Sequence, residues 1–205
     1  MTEVLVASRN PKKLAELRRV LDGAGVSALR LVSLDEVAAF DEAPETGATF
    51  EDNALAKARD GFAATGLPCV ADDSGLTVAA LNGMPGVLSA RWSGVHGDDP
   101  ANTALLLAQL RDVPDGRRGA AFVSACALVR GPGEADETVV RGEWPGSIAR
   151  EPRGGGGFGY DPVFIPDGQN GAVRTAAQLS SAEKDAVSHR GRALALLVPA
   201  LRALV

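Results

Sequence analysis

The stretch from Leu67 to Gly75 constrains this chain more than any other. An apolar run from Leu67 to Ala71, long enough for a buried strand, ends abruptly in Asp72, Asp73, Ser74 and Gly75. Neighbouring side chains on a strand point to opposite faces, so Asp72 and Asp73 face the same way only if the strand stops there. The simplest geometry is a strand that halts at the mouth of a cleft and delivers a carboxylate to it. Oxygen-only clusters of this kind suit a hard cation such as Mg2+, held through one or two carboxylates and the phosphates of a substrate. The competing reading is an Asp-Asp-Ser-Gly turn that caps the next helix. This stretch alone does not choose between them.

The rest of the chain has the means to bury such a strand. Its 205 residues are 45% hydrophobic and 23% charged, the composition of one globular domain with a substantial core. No apolar run is long enough to span a membrane, and the strand-like Val4-Leu5-Val6-Ala7 follows the N-terminus without a signal-peptide layout. The expectation is a soluble cytoplasmic protein with no membrane partner. Cys69 and Cys126 lie inside apolar runs without metal-ligand spacing and read as buried reduced thiols, not nucleophiles. A formal net charge of -5 argues against a general grip on a nucleic-acid backbone, and so against a nucleic-acid partner. A small anion in a local basic pocket stays possible. Of the 21 basic residues only Lys12, Lys13, Lys57 and Lys184 are lysines. An Arg-rich chain that keeps a few lysines has either done so by chance or placed a compact ammonium where a phosphate oxygen needs one.

In order, Val4 to Ala7 gives a strand, Ser8-Arg9-Asn10-Pro11-Lys12-Lys13 a polar loop, and Leu14, Leu17 and Leu21 a helix with Pro11 in its first turn. Backbone amides at that helix start, with Ser8, Asn10 and Lys13, form a potential anion site without the glycines of a P-loop. Ala28 to Val32 reads as a second strand, and Ser33 to Phe40 as a short helical or irregular link. An acidic loop from Asp41 to Gly47 precedes a helix opened by Thr49-Phe50-Glu51-Asp52 and closed at Thr65-Gly66. Asn53 and Lys57 share a face of that helix. It runs directly into the strand carrying Asp72 and Asp73, so its inner face is expected to look toward those carboxylates.

Farther on, Asp99-Pro100 caps a helix carrying Leu105, Leu106 and Leu110. Ala120 to Val129 and Glu137 to Trp144 form a hairpin across Gly131-Pro132-Gly133. Arg153 to Gly159 holds five glycines, the composition of a linker, yet it runs into Phe158-Gly159-Tyr160-Asp161-Pro162, which suits a tether poorly. A backbone without side chains can instead approach a ligand closely, with Phe158 either stacked on a base or built into the core. Ser180 to Glu183 looks like a capping box ahead of Lys184. Arg190 to Leu204 reads as a closing amphipathic helix, with His189 at its entry.

Taken together, Ser8-x-Asn10-x-x-Lys13, Glu45-Thr46-Gly47-x-Thr49-Phe50-x-x-Asn53-Ala54-x-x-Lys57-Ala58 and Ala71-Asp72-Asp73-Ser74-Gly75-Leu76 resemble the inosine triphosphate pyrophosphatase family. The resemblance continues through Gly83-Met84-Pro85-Gly86-Val87, Gly155-Gly156-Gly157-Phe158-Gly159-Tyr160-Asp161-Pro162 and Ser188-His189-Arg190-Gly191, and so covers nearly the whole chain. Trp92 and Arg9 depart from the family's common Tyr and Gly.

The resemblance implies an α/β fold: a long, mixed, twisted sheet flanked by helices, in one domain over residues 1–205 with two lobes and the active site in the cleft between them. It implies a homodimer and Mg2+-dependent hydrolysis of a purine nucleoside triphosphate between the α and β phosphates. ITP, XTP and dITP would be the substrates. Asp73 would be the catalytic base, with Asp72 its competitor, and Glu45 and Asp73 would hold the metal. Ser8, Arg9, Asn10, Pro11, Lys12, Lys13, Lys57 and Ser74 would bind the substrate, with Lys13, Lys57 and the amides after Ser8 at its triphosphate. Phe158, Gly159, Tyr160, Asp161, Lys184, His189 and Arg190 would also bind it, with Phe158 stacked on the base and the Lys184, His189 and Arg190 donors favouring a 6-oxo purine over adenine. Two rivals stand beside this reading: a Maf-type nucleotide pyrophosphatase with another substrate range, and a nucleotide-binding sensor without turnover.

Overall fold

The apolar run near the N-terminus forms the first strand, and the elements that follow build on it. The structure is a computed structural model that describes all residues except 42–43, 170–172, 181–182 and 185–186, together with the Lys12 side chain. Strand β1 (Thr2–Val6) leads to helix α1 (Pro11–Gly23), then β2 (Leu29–Ser33) and a 3-10 turn at Leu34–Glu36. Helix α2 (Phe50–Thr65) precedes β3 (Cys69–Val78), and two 3-10 turns at Ala79–Leu81 and Gly86–Arg91 lead to α3 (Asp99–Gln109). Strands β4 (Gly119–Val129), β5 (Glu137–Ile148) and β6 (Phe164–Pro166) follow, and helix α4 (His189–Arg202) closes the chain.

The six strands lie in the order β2-β1-β3-β4-β5-β6. β1 is parallel to both β2 and β3, whereas β6 runs antiparallel to β5 with Gly146 opposite Pro166. The expected mixed sheet flanked by helices is therefore present. Two compact units divide the chain: Met1–Asp73, Ser124–Gly142 and Arg190–Val205 in the first, Ser74–Val123 and Glu143–His189 in the second.

In the first unit the two faces of the sheet are covered by different helices, and strand alternation decides which residue meets which helix. Val4, Val6, Leu29, Leu31, Val70, Cys126 and Leu128 pack with Leu17 and Leu21 of α1 and Leu194, Leu197, Val198 and Leu201 of α4. Their odd-numbered neighbours Leu5 and Cys69 turn the other way, toward α2. There a Cβ added to Gly61 would stand 2.5 Å from Cys69 Sγ and 3.0 Å from Leu5 Cδ2. Helix α2 is capped as its sequence demands. Thr49 Oγ1 accepts from the Asp52 amide at 3.1 Å, Asp52 reaches back to the Thr49 amide, and Gly66 ends the helix in the left-handed conformation at φ 70°.

The second unit has its own core around Leu76, Val78, Leu106, Leu110, Phe122, Trp144, Tyr160, Val163 and Phe164. Arg118, only 2% exposed, donates to the carbonyls of Leu110, Ile148 and Ala149 and so ties the end of α3 to the end of β5.

Three local expectations change. β3 does not stop at Asp72 and Asp73 but continues to Val78, because each carboxylate finds its own cationic partner and the ladder need not break. The N-cap of α3 is Asp98, whose Oδ1 accepts from the Ala101 amide at 3.0 Å, so Asp99 falls inside the first turn and its side chain is released for another partner. β5 runs past Trp144 to Ile148, extended by its pairing with the short β6. No helix among the described residues is long and apolar enough to cross a membrane.

Candidate active site

Because β3 continues through them, Asp72 and Asp73 point to opposite faces and enter different environments. Both are nearly buried, at 9% and 8% exposure. Asp72 joins the α1 and α4 side: Lys13 Nζ lies 2.8 Å from its Oδ1, and Arg190 Nη2 and Nε lie 3.2 Å from its Oδ2. Arg190 also reaches Glu16 Oε2 at 3.6 Å. Burial by itself would raise the Asp72 pKa, but Lys13, Arg190 and Lys57 outweigh it and hold the carboxyl well below its ordinary range.

Asp73 faces α2. Asn53 Nδ2 donates to its Oδ2 at 2.9 Å, and Lys57 Nζ stands 3.6 Å from its Oδ1. The same ammonium lies 2.5 Å from Glu45 Oε1 and 3.4 Å from the Asp72 carbonyl oxygen. Desolvation pulls the Lys57 pKa down, yet the carboxylates of Glu45, Asp73 and Asp72 more than compensate, and the ammonium is held charged. Asn53 also fixes the loop that carries Glu45, since its Oδ1 accepts from the Gly47 amide at 2.8 Å. A side chain at position 47 would collide with that oxygen, because its Cβ would lie 2.6 Å away. The glycine in Glu45-Thr46-Gly47 therefore serves a close approach.

This donor set fits a hard divalent cation. Glu45 and Asp73 present carboxylate oxygens from a loop and a strand, and both reach one ammonium. Among the described residues no group of three or more His, Cys, Asp or Glu side chains converges as a complete metal cage. A cation held by Glu45 and Asp73 would take its remaining ligands from water and phosphate, as Mg2+ does.

The loop after β1 is partly pre-folded: the Asn10 amide donates to Ser8 Oγ at 3.2 Å and the Lys13 amide to the Asn10 carbonyl at 3.0 Å. Ser8 is half-buried, and Arg9, Asn10 and Pro11 are exposed at the start of α1. The Lys12 side chain lies outside the described residues.

The second unit holds another cluster. Lys184 pairs with the buried Asp161 carboxylate, and its Nζ stands 5.2 Å from the centroid of the Phe158 ring, which is 66% exposed. Asp161 Oδ2 also accepts from the Phe158 amide at 2.9 Å. Gly159, at φ 58°, donates its amide to Asp99 Oδ2 at 2.6 Å, and its carbonyl accepts from Thr103 Oγ1 at 3.4 Å. Tyr160 is buried, with its hydroxyl donating to the Ser89 carbonyl at 2.9 Å, and burial pushes its phenol pKa up. Ser74 is half-buried on β3. The glycine-rich run is thus pinned to α3 and is no linker.

The structure brings Lys13, Asp72 and Arg190 together, and Glu45, Asn53, Lys57 and Asp73 together. Phe158, Gly159, Asp161 and Lys184 gather separately. Arg190 is committed to Asp72 and Glu16, while the His189 ring stacks on Phe122 at 5.2 Å between centroids. Ser180 and Glu183 complete their capping box, with Glu183 Oε2 accepting from the Ser180 amide at 2.8 Å; Ser181 and Ala182 lie outside the described residues. Sequence reasoning missed Glu16, Asp99, Thr103 and the full role of Asn53. Glu16 was open to detection, because it follows Lys13 by one helical turn on the same face. Nothing local marks Asp99 as a partner of Gly159.

A family model described as the Ham1 family matches residues 4–200. The chain is 80% identical to a dITP/XTP pyrophosphatase of Mycolicibacterium paratuberculosis, across 100% of this chain and 98% of that protein. It is 78% identical to a dITP/XTP pyrophosphatase of Mycobacterium tuberculosis, across 100% of this chain and 97% of that one. Among solved structures, a nucleoside-triphosphatase / dITP/XTP pyrophosphatase of Mycobacterium abscessus superposes with a TM-score of 0.83 at 70% identity, covering 98% of this chain and 100% of that chain. A HAM1 protein of Coxiella burnetii superposes with a TM-score of 0.88 at 42% identity, covering 99% of this chain and 100% of that chain.

Proposed function

From the premise that this chain belongs to the Ham1 family, we propose that it is a nucleoside triphosphate pyrophosphohydrolase acting on dITP, XTP and ITP. It removes these purines from the nucleotide pool as monophosphate and pyrophosphate. The observation that supports the reading most directly is the convergence of Glu45 and Asp73 on one charged Lys57, with Lys13 on the other side of the same strand. Acid and base residues of this type, set beside two lysines, suit an attack on a polyanionic phosphate chain.

Glu45 and Asp73 are the residues that would hold Mg2+, which supplies charge neutralisation at the phosphate oxygens. Lys57 and Lys13 offset the remaining charge of the triphosphate as compact ammonium donors. Asp73 accepts a proton from the attacking water. The water oxygen bonds to the α phosphorus, the bond from that phosphorus to the bridging oxygen breaks, and pyrophosphate leaves with the electron pair. Asn53 holds Asp73 by its second oxygen and keeps the base oriented. In the second unit the exposed face of Phe158 offers a stacking surface for a purine. Lys184, anchored by Asp161, keeps donors for a 6-oxo group. A 6-amino group on adenine would leave those donors unmet.

Pyrophosphate release from XTP, dITP, ITP, GTP, ATP and a pyrimidine triphosphate, with and without Mg2+, tests the reading. The expected result is release from XTP, dITP and ITP only with Mg2+, one pyrophosphate per monophosphate. Orthophosphate as the first product would move cleavage to the γ phosphate, a pyrimidine preference would favour the Maf-type reading, and tight binding without turnover would favour the sensor. The proposal extends to a cytoplasmic homodimer, and sedimentation at micromolar concentration should return twice the chain mass.

A further inference from the structure

Asp72 and Asp73 are neighbours of identical chemistry, and their surroundings assign them different work. Asp73 is held by a neutral amide and one ammonium, from Asn53 and Lys57. Asp72 receives a cation on each oxygen, Lys13 at 2.8 Å on Oδ1 and Arg190 at 3.2 Å on Oδ2. Arg190 extends to Glu16 at 3.6 Å, and Glu16 stands one turn after Lys13 on α1. Lys13, Asp72, Arg190 and Glu16 therefore alternate in sign around a circuit that begins and ends on one face of α1, crosses β3 and passes through the first turn of α4.

We propose that Asp72 is a positioning residue for the hydrolysis and not its base: it fixes the Lys13 ammonium from β3, with Arg190 as the brace that holds Asp72 in turn. The proposal rests on the pyrophosphohydrolase reading and deepens it. A lysine ammonium is a point charge on a flexible stem, so its direction has to be supplied from outside the side chain. The Asp72 contact supplies it and occupies only one of the three ammonium donors. The others stay available to phosphate oxygens. Each Asp72 oxygen is already engaged by a cation. Arg190 braces Asp72 from α4, and the circuit joins α1 to the last helix of the chain.

A double-mutant cycle over Lys13 and Asp72 tests this. Wild type, Asp72→Asn, Lys13→Met and the double variant are compared in kcat and KM for pyrophosphate release from XTP, and in affinity for inorganic tripolyphosphate by calorimetry. Asp72→Asn is expected to lower kcat/KM by about 10- to 100-fold, the scale of a displaced catalytic group. In the Lys13→Met background it should change kcat/KM by less than about threefold. Asp72→Glu should recover part of the loss. Losses that multiply across the two positions overturn the proposal. So does an Asp72→Asn variant whose kcat collapses as far as that of Asp73→Asn while tripolyphosphate affinity is unchanged, since Asp72 would then be the base. If Asp72→Asn does not fold by near-UV circular dichroism, Arg190→Lys is carried through the same cycle with Lys13→Met, and independent losses there count equally against it. A wild type that releases no pyrophosphate overturns the function reading alone, because the cycle is still read in tripolyphosphate affinity. A wild type that does not bind tripolyphosphate overturns the positioning proposal as well.

Discussion

At the scale of single residues, the site is governed by which counter-ion each carboxylate receives. If Asp73 accepts the water proton, Asp73→Asn keeps the side-chain shape and its contact with Asn53 but removes the basic oxygen. Its kcat should fall by roughly 10^2- to 10^4-fold, while affinity for a non-hydrolysable α,β-methylene analogue stays within a few-fold; a near-normal rate with weak binding would move the base elsewhere. Lys57 bridges Glu45 and Asp73. Lys57→Met leaves those carboxylates without their shared ammonium, so the variant should melt at a lower temperature. Millimolar Mg2+ should then raise its melting temperature more than that of wild type. An equal response in a thermal shift assay would sink the assignment of Glu45 and Asp73 to the metal. The two thiols are the simplest case. Burial pushes Cys69 and Cys126 up to about 12, so at pH 8 both remain protonated inside the fold. Mass spectrometry should find the native protein unmodified by iodoacetamide at that pH and the unfolded protein carrying two labels. The sign for stability follows: a free thiol ionises near 9, the folded one near 12. The folded state binds more protons than the unfolded state between those values, so these thiols contribute stability below pH 9 that is lost as pH rises through the folded pKa.

At the scale of elements, helices α2 and α3 do more than cover the sheet. Gly61, in the middle of α2, lowers intrinsic helix propensity, yet it lets the helix approach Cys69 and Leu5. Gly61→Ala gains propensity and overpacks that contact, and should destabilise by about 1–3 kcal/mol in urea titrations. A stabilised variant would mean that the sheet yields. Surface ion pairs add little here: the two-point contact of Arg59 with Glu137, at 2.7 and 2.8 Å, has its arginine half exposed and contributes at most about 1 kcal/mol. Helix α3 presents Asp99 and Thr103 to the amide and carbonyl of Gly159, so it holds the backbone beside Phe158 from both sides. Asp99→Ala releases a charge-assisted hydrogen bond and should raise KM for XTP about tenfold with a smaller change in kcat. A kcat effect without a KM effect would put the loop outside substrate binding.

At the scale of the whole molecule, neither unit is a contiguous piece of chain. The first unit is assembled from the beginning, middle and end of the sequence, and its core is completed by Ala193, Leu194, Leu197, Val198 and Leu201 of α4. Thr2 Oγ1 donates to the Leu204 carbonyl at 3.1 Å, which fastens the two ends of the chain together. Each fully buried leucine contributes roughly 1.5–3 kcal/mol, so losing this face exceeds a typical margin of stability. A chain ending at His189 should lose slow amide exchange in β1 and β2, and native-like protection of those strands in hydrogen exchange would contradict the account. Much of this architecture is legible in the sequence because it rests on short-range rules. The strand at Val4, Pro11 in the first turn of α1, the Thr49 and Asp52 capping box and Gly66 past the end of α2 each follow from a few neighbouring residues. Alternation on a strand also requires Asp72 and Asp73 to part company once the strand continues. No local rule says that it continues, or which helix waits on either side. Arg190 meets Asp72 across 118 positions of chain, and Gly159 meets Asp99 across 60. The sequence by itself determined the elements, their caps and the inventory of acids, lysines and aromatics. Only the tertiary structure decided which cation each carboxylate holds, because that pairing depends on strand order and helix placement, which long-range packing settles.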